Sequence, residues 1–176
     1  MPTAHINIGS NLGDRAALIG GAVAAISARF AVTAVSQPVE SEPWGYSSPH
    51  PFLNIGVNIE IPPTLSSRQL MLSLLQIQNE IDAAPHRLPD GSYADRAIDI
   101  DLICIGSRVS EAAENGTPAL PHPRMHLRPF VLIPMTEILP SWRHPLLHLT
   151  PPQLLQQLSP PTPQKGVSKF NNGVEL

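Results

Sequence analysis

Hydrophobic and polar positions change period several times along the chain, and each change marks an element. Residues 5–8 (HINI) alternate and read as a short strand that runs into a glycine turn, GSNLGDR at 9–15. Between 14 and 30, Leu18, Ala22, Val23, Ile26 and Phe30 recur at helical spacing, which predicts an amphipathic helix on a sheet, with Asp14 placed to satisfy its first N–H groups. Residues 31–37 (AVTAVSQ) alternate again as a second strand. A third strand over 52–61 (FLNIGVNIEI) puts Leu53, Ile55, Val57, Ile59 and Ile61 on one face and Phe52, Asn54 and Asn58 on the other. The stretch 66–82 is a second helix: Ser66 and Gln69 have capping-box spacing, and Leu70, Leu74, Ile77 and Ile81 form its buried stripe. In RAIDIDLI, 96–103, and its continuation, Ile98, Ile100, Leu102 and Cys104 share a core face, while Asp99 and Asp101 share the opposite one. Residues 102–109 are expected to turn at Gly106 as a hairpin, followed by a turn of helix at 124–127, a short apolar helix at 131–138 and another short helix at 153–158.

The order strand, helix, strand, strand, helix, strand is the β-α-β-β-α-β pattern of an α+β, ferredoxin-like fold. It predicts a mainly antiparallel sheet with helices on one face, plus extra C-terminal elements. At this length one domain is expected, over 1–158, with 159–176 as a flexible tail poor in large apolar residues. Two long loops interrupt the regular pattern: PVESEPWGYSSPHPF at 38–52 and AAPHRLPDGSYAD at 83–95. Loops of that length inside a compact domain usually carry function, and Trp44 and Tyr46 are poorly placed for a core.

Composition narrows the partners. A net charge of −3 over 176 residues, with 14% charged side chains, lacks the excess of Lys and Arg that nucleic acid or an anionic membrane would call for. No apolar run approaches the ~18 residues of a membrane span and the N-terminus lacks a signal-peptide layout, so a cytoplasmic protein is expected. The single cysteine, Cys104, reads as core. Proline, 21 of 176, falls largely between periodic segments and implies shaped loops.

The chemistry begins with Asp99 and Asp101. Two residues apart on a strand, they stand roughly 7 Å from one another, wide enough to hold metal ions against a phosphate chain. Mg²⁺ is commonly bound by one or two carboxylates together with substrate phosphates. The glycine turn at 9–15 has neither G-x-x-x-x-G-K-[ST] nor G-x-G-x-x-G, which excludes the known phosphate loops. Phe52 and Asn54, two apart on a polar face, form a pair able to stack on and hydrogen-bond a planar heterocycle.

Read together, GSNLGDR, the FLN triplet at 52–54, RAIDIDLI and PHPRMHLRPFVLIPMTEI resemble the 6-hydroxymethyl-7,8-dihydropterin pyrophosphokinase family, in the right order from His5 to about Pro140. The resemblance implies diphosphoryl transfer from ATP to the pterin hydroxymethyl in folate biosynthesis, on a ferredoxin-like fold, by a monomer. It implies two Mg²⁺ ions on Asp99 and Asp101, and a pterin held by Gly9, Ser41, Phe52, Asn54 and Phe130. It assigns ATP contacts to Gln78, Ile100, His122 and Arg128, and a catalytic role to Arg96. His122 and His126, four apart, lack a third ligand for a metal of their own.

The departures lie in the loops. Relatives usually carry I-E-x-x-[LQ]-G-R-x-R after the second helix, where this chain has IQNEIDAAPHR. An ungapped reading puts Gln78 at the glutamate and leaves both arginines unmatched; a two-residue slide makes Glu80 the glutamate and Arg87 one of the arginines. Tyr93 replaces the usual tryptophan, and VESEPWG replaces a YRTPP-like stretch. Two readings therefore remain open: an active diphosphokinase whose lid arginine is Arg87, and a weakened relative that binds a pterin or nucleotide, or acts on a variant pterin.

Overall fold

The computed structural model describes residues 1–89, 91 and 93–158, and the backbone of 167–169. Its frame is β1 (Thr3–Ser10), α1 (Arg15–Ser27), β2 (Ala31–Val35), β3 (Val39–Ser41), β4 (Phe52–Glu60), α2 (Ser67–Ile81) and β5 (Asp99–Ile105). After a 3-10 turn at Met125–Leu127 come α3 (Pro129–Ile138), α4 (Pro151–Gln157) and β6 (Val167–Lys169). The expected caps form: Asp14 accepts from the Ala17 N–H, and Ser66 and Gln69 close a reciprocal capping box.

β1 lies between β4 and β5, and β2 pairs the outer edge of β4; every pairing is antiparallel. That is the ferredoxin-like arrangement. One face is covered by α1 and α2 over a core that includes Ile6, Ile8, Ile55, Val57, Ile59, Leu70, Leu74 and Ile100. On the other, α3 and α4 bury a second core of Ile103, Cys104, Met125, Val131, Leu132, Met135 and Leu154. They cover only part of that face, and the remainder is a cleft.

Three expectations need correction. Cys104 is buried, but in the second core, on the face opposite Ile100 and Leu102. His5 pairs with Cys104 and Ile6 with Leu102, so Ile103 is an extra residue, and this bulge inverts the alternation from Cys104 onward. The hairpin over 102–109 does not form: the chain turns at Gly106, but Ser110 then bridges Leu120. The outer edge of β5 is already occupied, because Gln78 takes the Ile100 N–H and His122 donates to the Ile103 carbonyl. Finally, the first long loop contains β3, which continues the β2 edge along β4 after a bend where the Ser36 N–H donates to the Gly56 carbonyl and Ser36 Oγ accepts the Gly56 N–H. Of the expected tail, β6 pairs with β3, and the rest of 159–176 lies outside the described residues.

Candidate active site

The register of three strands assembles the cleft. Gly9 of β1 is flanked by Asn54 on β4 and Asp99 on β5, and Asn7 is flanked by Gly56 and Asp101. The heterocycle-type pair and the carboxylate pair are thus about 10 Å apart across the sheet, two strand spacings. Glycine is required between them, since a Cβ at position 9 would stand 2.9 Å from Asn54 Oδ1. Asn54 is buried and its Nδ2 donates to Ser41 Oγ at 3.0 Å, which fixes the amide's orientation. Phe52 and Phe130 line the same cleft of about 430 Å³. Phe130 also packs against the second core, so it serves both.

Each aspartate has an arginine. Arg96 donates to Asp99 Oδ2 at 2.6 Å, and Arg128 donates to Asp101 Oδ2 at 3.3 Å. The Asp99 carboxyl is nonetheless pushed above the usual carboxylate range, first by burial and then by the Asp101 charge, against the pull of Arg96 and His86. Two carboxylates that repel on one ledge suit a divalent cation, which would relieve the repulsion. Among the described residues no group of three or more protein ligands exists, so the donor set fits an ion whose shell is completed by phosphate oxygens and water. The Nε atoms of Arg96 and Arg128 and Asn7 Oδ1 are buried without partners, polar groups that point to a polar ligand.

Nine of the sequence-derived residues meet here: Gly9, Ser41, Phe52, Asn54, Arg96, Asp99, Asp101, Arg128 and Phe130. Gln78, Ile100 and His122 instead gather at the outer edge of β5. Gln78 Oε1 accepts the Ile100 N–H at 2.8 Å, whereas Glu80 pairs with Arg29 on the helix surface. His122 Nδ1 accepts from the Arg124 N–H, and burial, Arg128 and Arg124 hold the ring at about 4, so it is neutral near pH 7. Arg87 is exposed, stacked 4.4 Å from the Tyr93 ring centre and donating to the Gly91 carbonyl. Tyr93 lines the cleft while Arg87 does not.

Sequence reasoning flagged the two long loops, with Trp44, Tyr46 and Tyr93, but gave these rings no place in the site, and it missed Asn7 and His86 altogether. Asn7 was legible as the polar position between Ile6 and Ile8, two before Gly9 on the same face. Trp44, Tyr46 and Tyr93 come from the two long loops, and Trp44 lies 4.8 Å from the Arg128 guanidinium. His86 reaches 3.7 Å from Asp99, a placement no periodic signal announced.

Comparison with known proteins places this geometry. The family model described as 7,8-dihydro-6-hydroxymethylpterin-pyrophosphokinase (HPPK) matches residues 5–140. The chain is 36% identical over 149 residues to a 2-amino-4-hydroxy-6-hydroxymethyldihydropteridine pyrophosphokinase of Porphyromonas gingivalis, covering 82% of this chain and 95% of that one. It is also 36% identical to the Bacillus subtilis protein of that name, over 77% of each chain. Among solved structures, the wild-type HPPK-DHPS of Plasmodium falciparum superposes with a TM-score of 0.65 at 12% identity, a likeness of fold. That match covers 89% of this chain and 44% of the Plasmodium chain. With the match running through every block that builds the cleft, from β1 to the end of α3, the chain belongs to the 7,8-dihydro-6-hydroxymethylpterin-pyrophosphokinase family.

Proposed function

We propose that this chain transfers a diphosphoryl group from Mg-ATP to the hydroxymethyl oxygen of 6-hydroxymethyl-7,8-dihydropterin, releasing AMP, as a step of folate biosynthesis. The observation that carries this reading is the strand register, which sets Asn54 and the Asp99–Asp101 ledge in one cleft on either side of Gly9. The pterin would lie against Phe52 and Phe130. Asn54, oriented by Ser41, would read its polar edge. The hydroxymethyl oxygen would attack the β-phosphorus of ATP, with AMP as the leaving group.

Two Mg²⁺ ions, held by Asp99 and Asp101, would supply charge neutralisation on the phosphate chain. The protein's own contribution is positioning, which is the main lever in phosphoryl-type transfer. Arg96 and Arg128 lie beside the carboxylates with unpartnered Nε groups that can turn to phosphate oxygens. Gln78, Ile100 and the neutral His122 form the nucleotide side along the outer edge of β5. Arg87, on the loop between α2 and β5, is the cation that would meet the phosphates during transfer. One chain carries every group named, and the reading is of a cytoplasmic monomer.

Purified protein given Mg-ATP and the pterin should form one AMP per pterin consumed, and EDTA should stop it. ADP as the nucleotide product, or pterin binding with no AMP, would overturn the reading.

A further inference from the structure

None of the roles above uses Asp95, yet four side chains converge on it. Asn11 Nδ2 donates to Oδ1 at 2.7 Å, and the Tyr46 hydroxyl donates to the same oxygen at 3.0 Å. Ser48 Oγ donates to Oδ2 at 2.7 Å, and His50 Nδ1 lies 2.7 Å from that oxygen. Burial alone would raise this carboxyl, but the hydrogen bonds outweigh it and hold Asp95 at about 2, an anion at any ordinary pH.

The partners belong to separate pieces of chain. Asn11 follows the end of β1; Tyr46, Ser48 and His50 belong to the loop between β3 and β4; Asp95 lies on the connection from α2 to β5. Asn11 closes the junction again, because its Oδ1 accepts the Arg96 N–H at 2.8 Å and its own N–H donates to the Arg96 carbonyl at 3.2 Å. The cleft wall grows directly from this clasp: Tyr46 is one of its donors, Arg96 is the next residue, and the Tyr93 ring centre is 6.1 Å from that of Tyr46.

We propose that Asp95 is a positioning residue for the pterin pocket: through Tyr46 and Asn11 it ties the two long loops to each other and to β1, so the aromatic wall stands in place before substrate arrives. The inference rests on the pterin reading given above. Without the clasp, ordering of both loops falls on the binding step, which weakens affinity and leaves the transfer step largely intact.

The test uses the full chain with Asp95→Ala and His50→Ala, singly and together. Steady-state kinetics are read beside Trp44 emission anisotropy in a Trp142→Phe background, where Trp44 is the remaining one of two tryptophans. Asp95→Ala should raise the pterin KM about tenfold with kcat within about twofold, roughly 1.4 kcal/mol in pterin commitment. His50→Ala should raise it several-fold, and the double variant should be no worse than Asp95→Ala. Trp44 anisotropy in the substrate-free protein should fall in both single variants. A merely structural role would lower the folded fraction, and with it apparent kcat, with KM unchanged and any fall in anisotropy matched by an equal fractional loss of the circular dichroism signal, and that result overturns the proposal. His50 is half exposed, so its variant keeps the test open if Asp95→Ala does not fold. If the unaltered chain makes no AMP, the functional reading fails separately, and substrate-free anisotropy still decides the clasp.

Discussion

Replacing Asp99 or Asp101 with alanine removes half of a ledge that faces the cleft rather than either core. Turnover and Mg-dependent ATP binding should be lost in both variants while the circular dichroism spectrum stays native; near-normal rates in either one would remove the two-metal reading. Phe130→Ala should cost on the order of 1–3 kcal/mol of pterin affinity, by analogy with bases stacked on aromatic rings. Asn54→Leu should cost at least as much, because it leaves ligand polar groups and the buried Ser41 hydroxyl without their partner. Both are read by calorimetric titration with the pterin, and unchanged affinity in Phe130→Ala would reduce that ring to its role in the second core. Arg87 differs in kind. It is exposed, donates to the Gly91 carbonyl and stacks on Tyr93, outside the cleft lining. A cation that meets the phosphates mainly in the transition state should affect rate more than binding. Arg87→Ala should therefore lower kcat at least tenfold, about 1.4 kcal/mol of barrier, with substrate Kd values little changed; normal turnover would return the lid role to another group.

The elements carry a pH dependence of their own. His5 of β1 is buried under Pro134 of α3, with Nδ1 2.7 Å from Asn58 Oδ1 and its ring over Gly56, where a Cβ would stand 2.7 Å from it. Burial holds this ring down at about 4, below the ordinary 6.5, against the pull of the Asn58 bond. The unfolded chain therefore takes up a proton below about pH 6.5 that the native chain refuses until about pH 4. Stability from this group is full above that window and declines through it, by roughly 3 kcal/mol in all at about 1.4 kcal/mol per pH unit. Urea unfolding from pH 7 to 4 should show the loss, and a slope unchanged by His5→Gln would assign it elsewhere. The elements were largely legible in the sequence where period was strong: Leu53, Ile55, Val57 and Ile59 of β4, Ile61 just after it, and Leu70, Leu74 and Ile77 of α2 lie in the core as their spacing implied, with Ile81 packed at its edge. What escaped was set by pairing between distant segments. The bulge at Ile103 depends on β1, and the three-residue β3 depends on the free half of the β4 edge. Neither leaves a periodic trace. The site followed the same division, because residues on β1, β4 and β5 could be found by alternation, while Trp44, Tyr93, His86 and Asp95 lie on loops whose shape comes from their mutual contacts.

At the scale of the molecule, the sheet serves as a ruler. α1 and α2 fix one face, α3 and α4 cover part of the other, and the uncovered strip holds the Phe52–Asn54 pair and the Asp99–Asp101 ledge at a separation set by two strand spacings. Transfer of two phosphorus atoms in one step requires the pterin oxygen to meet the β-phosphorus, while a kinase that moves one would present the γ-phosphorus instead. The most direct test follows the fate of each phosphorus: ³¹P NMR of the reaction with ATP labelled with ¹⁸O at the β-phosphoryl group. Both the β and γ phosphorus atoms should appear in the pterin product, with AMP as the only new adenylate and no β label left on nucleotide product. Recovery of the β label in ADP, with a single phosphorus on the pterin, would contradict the account.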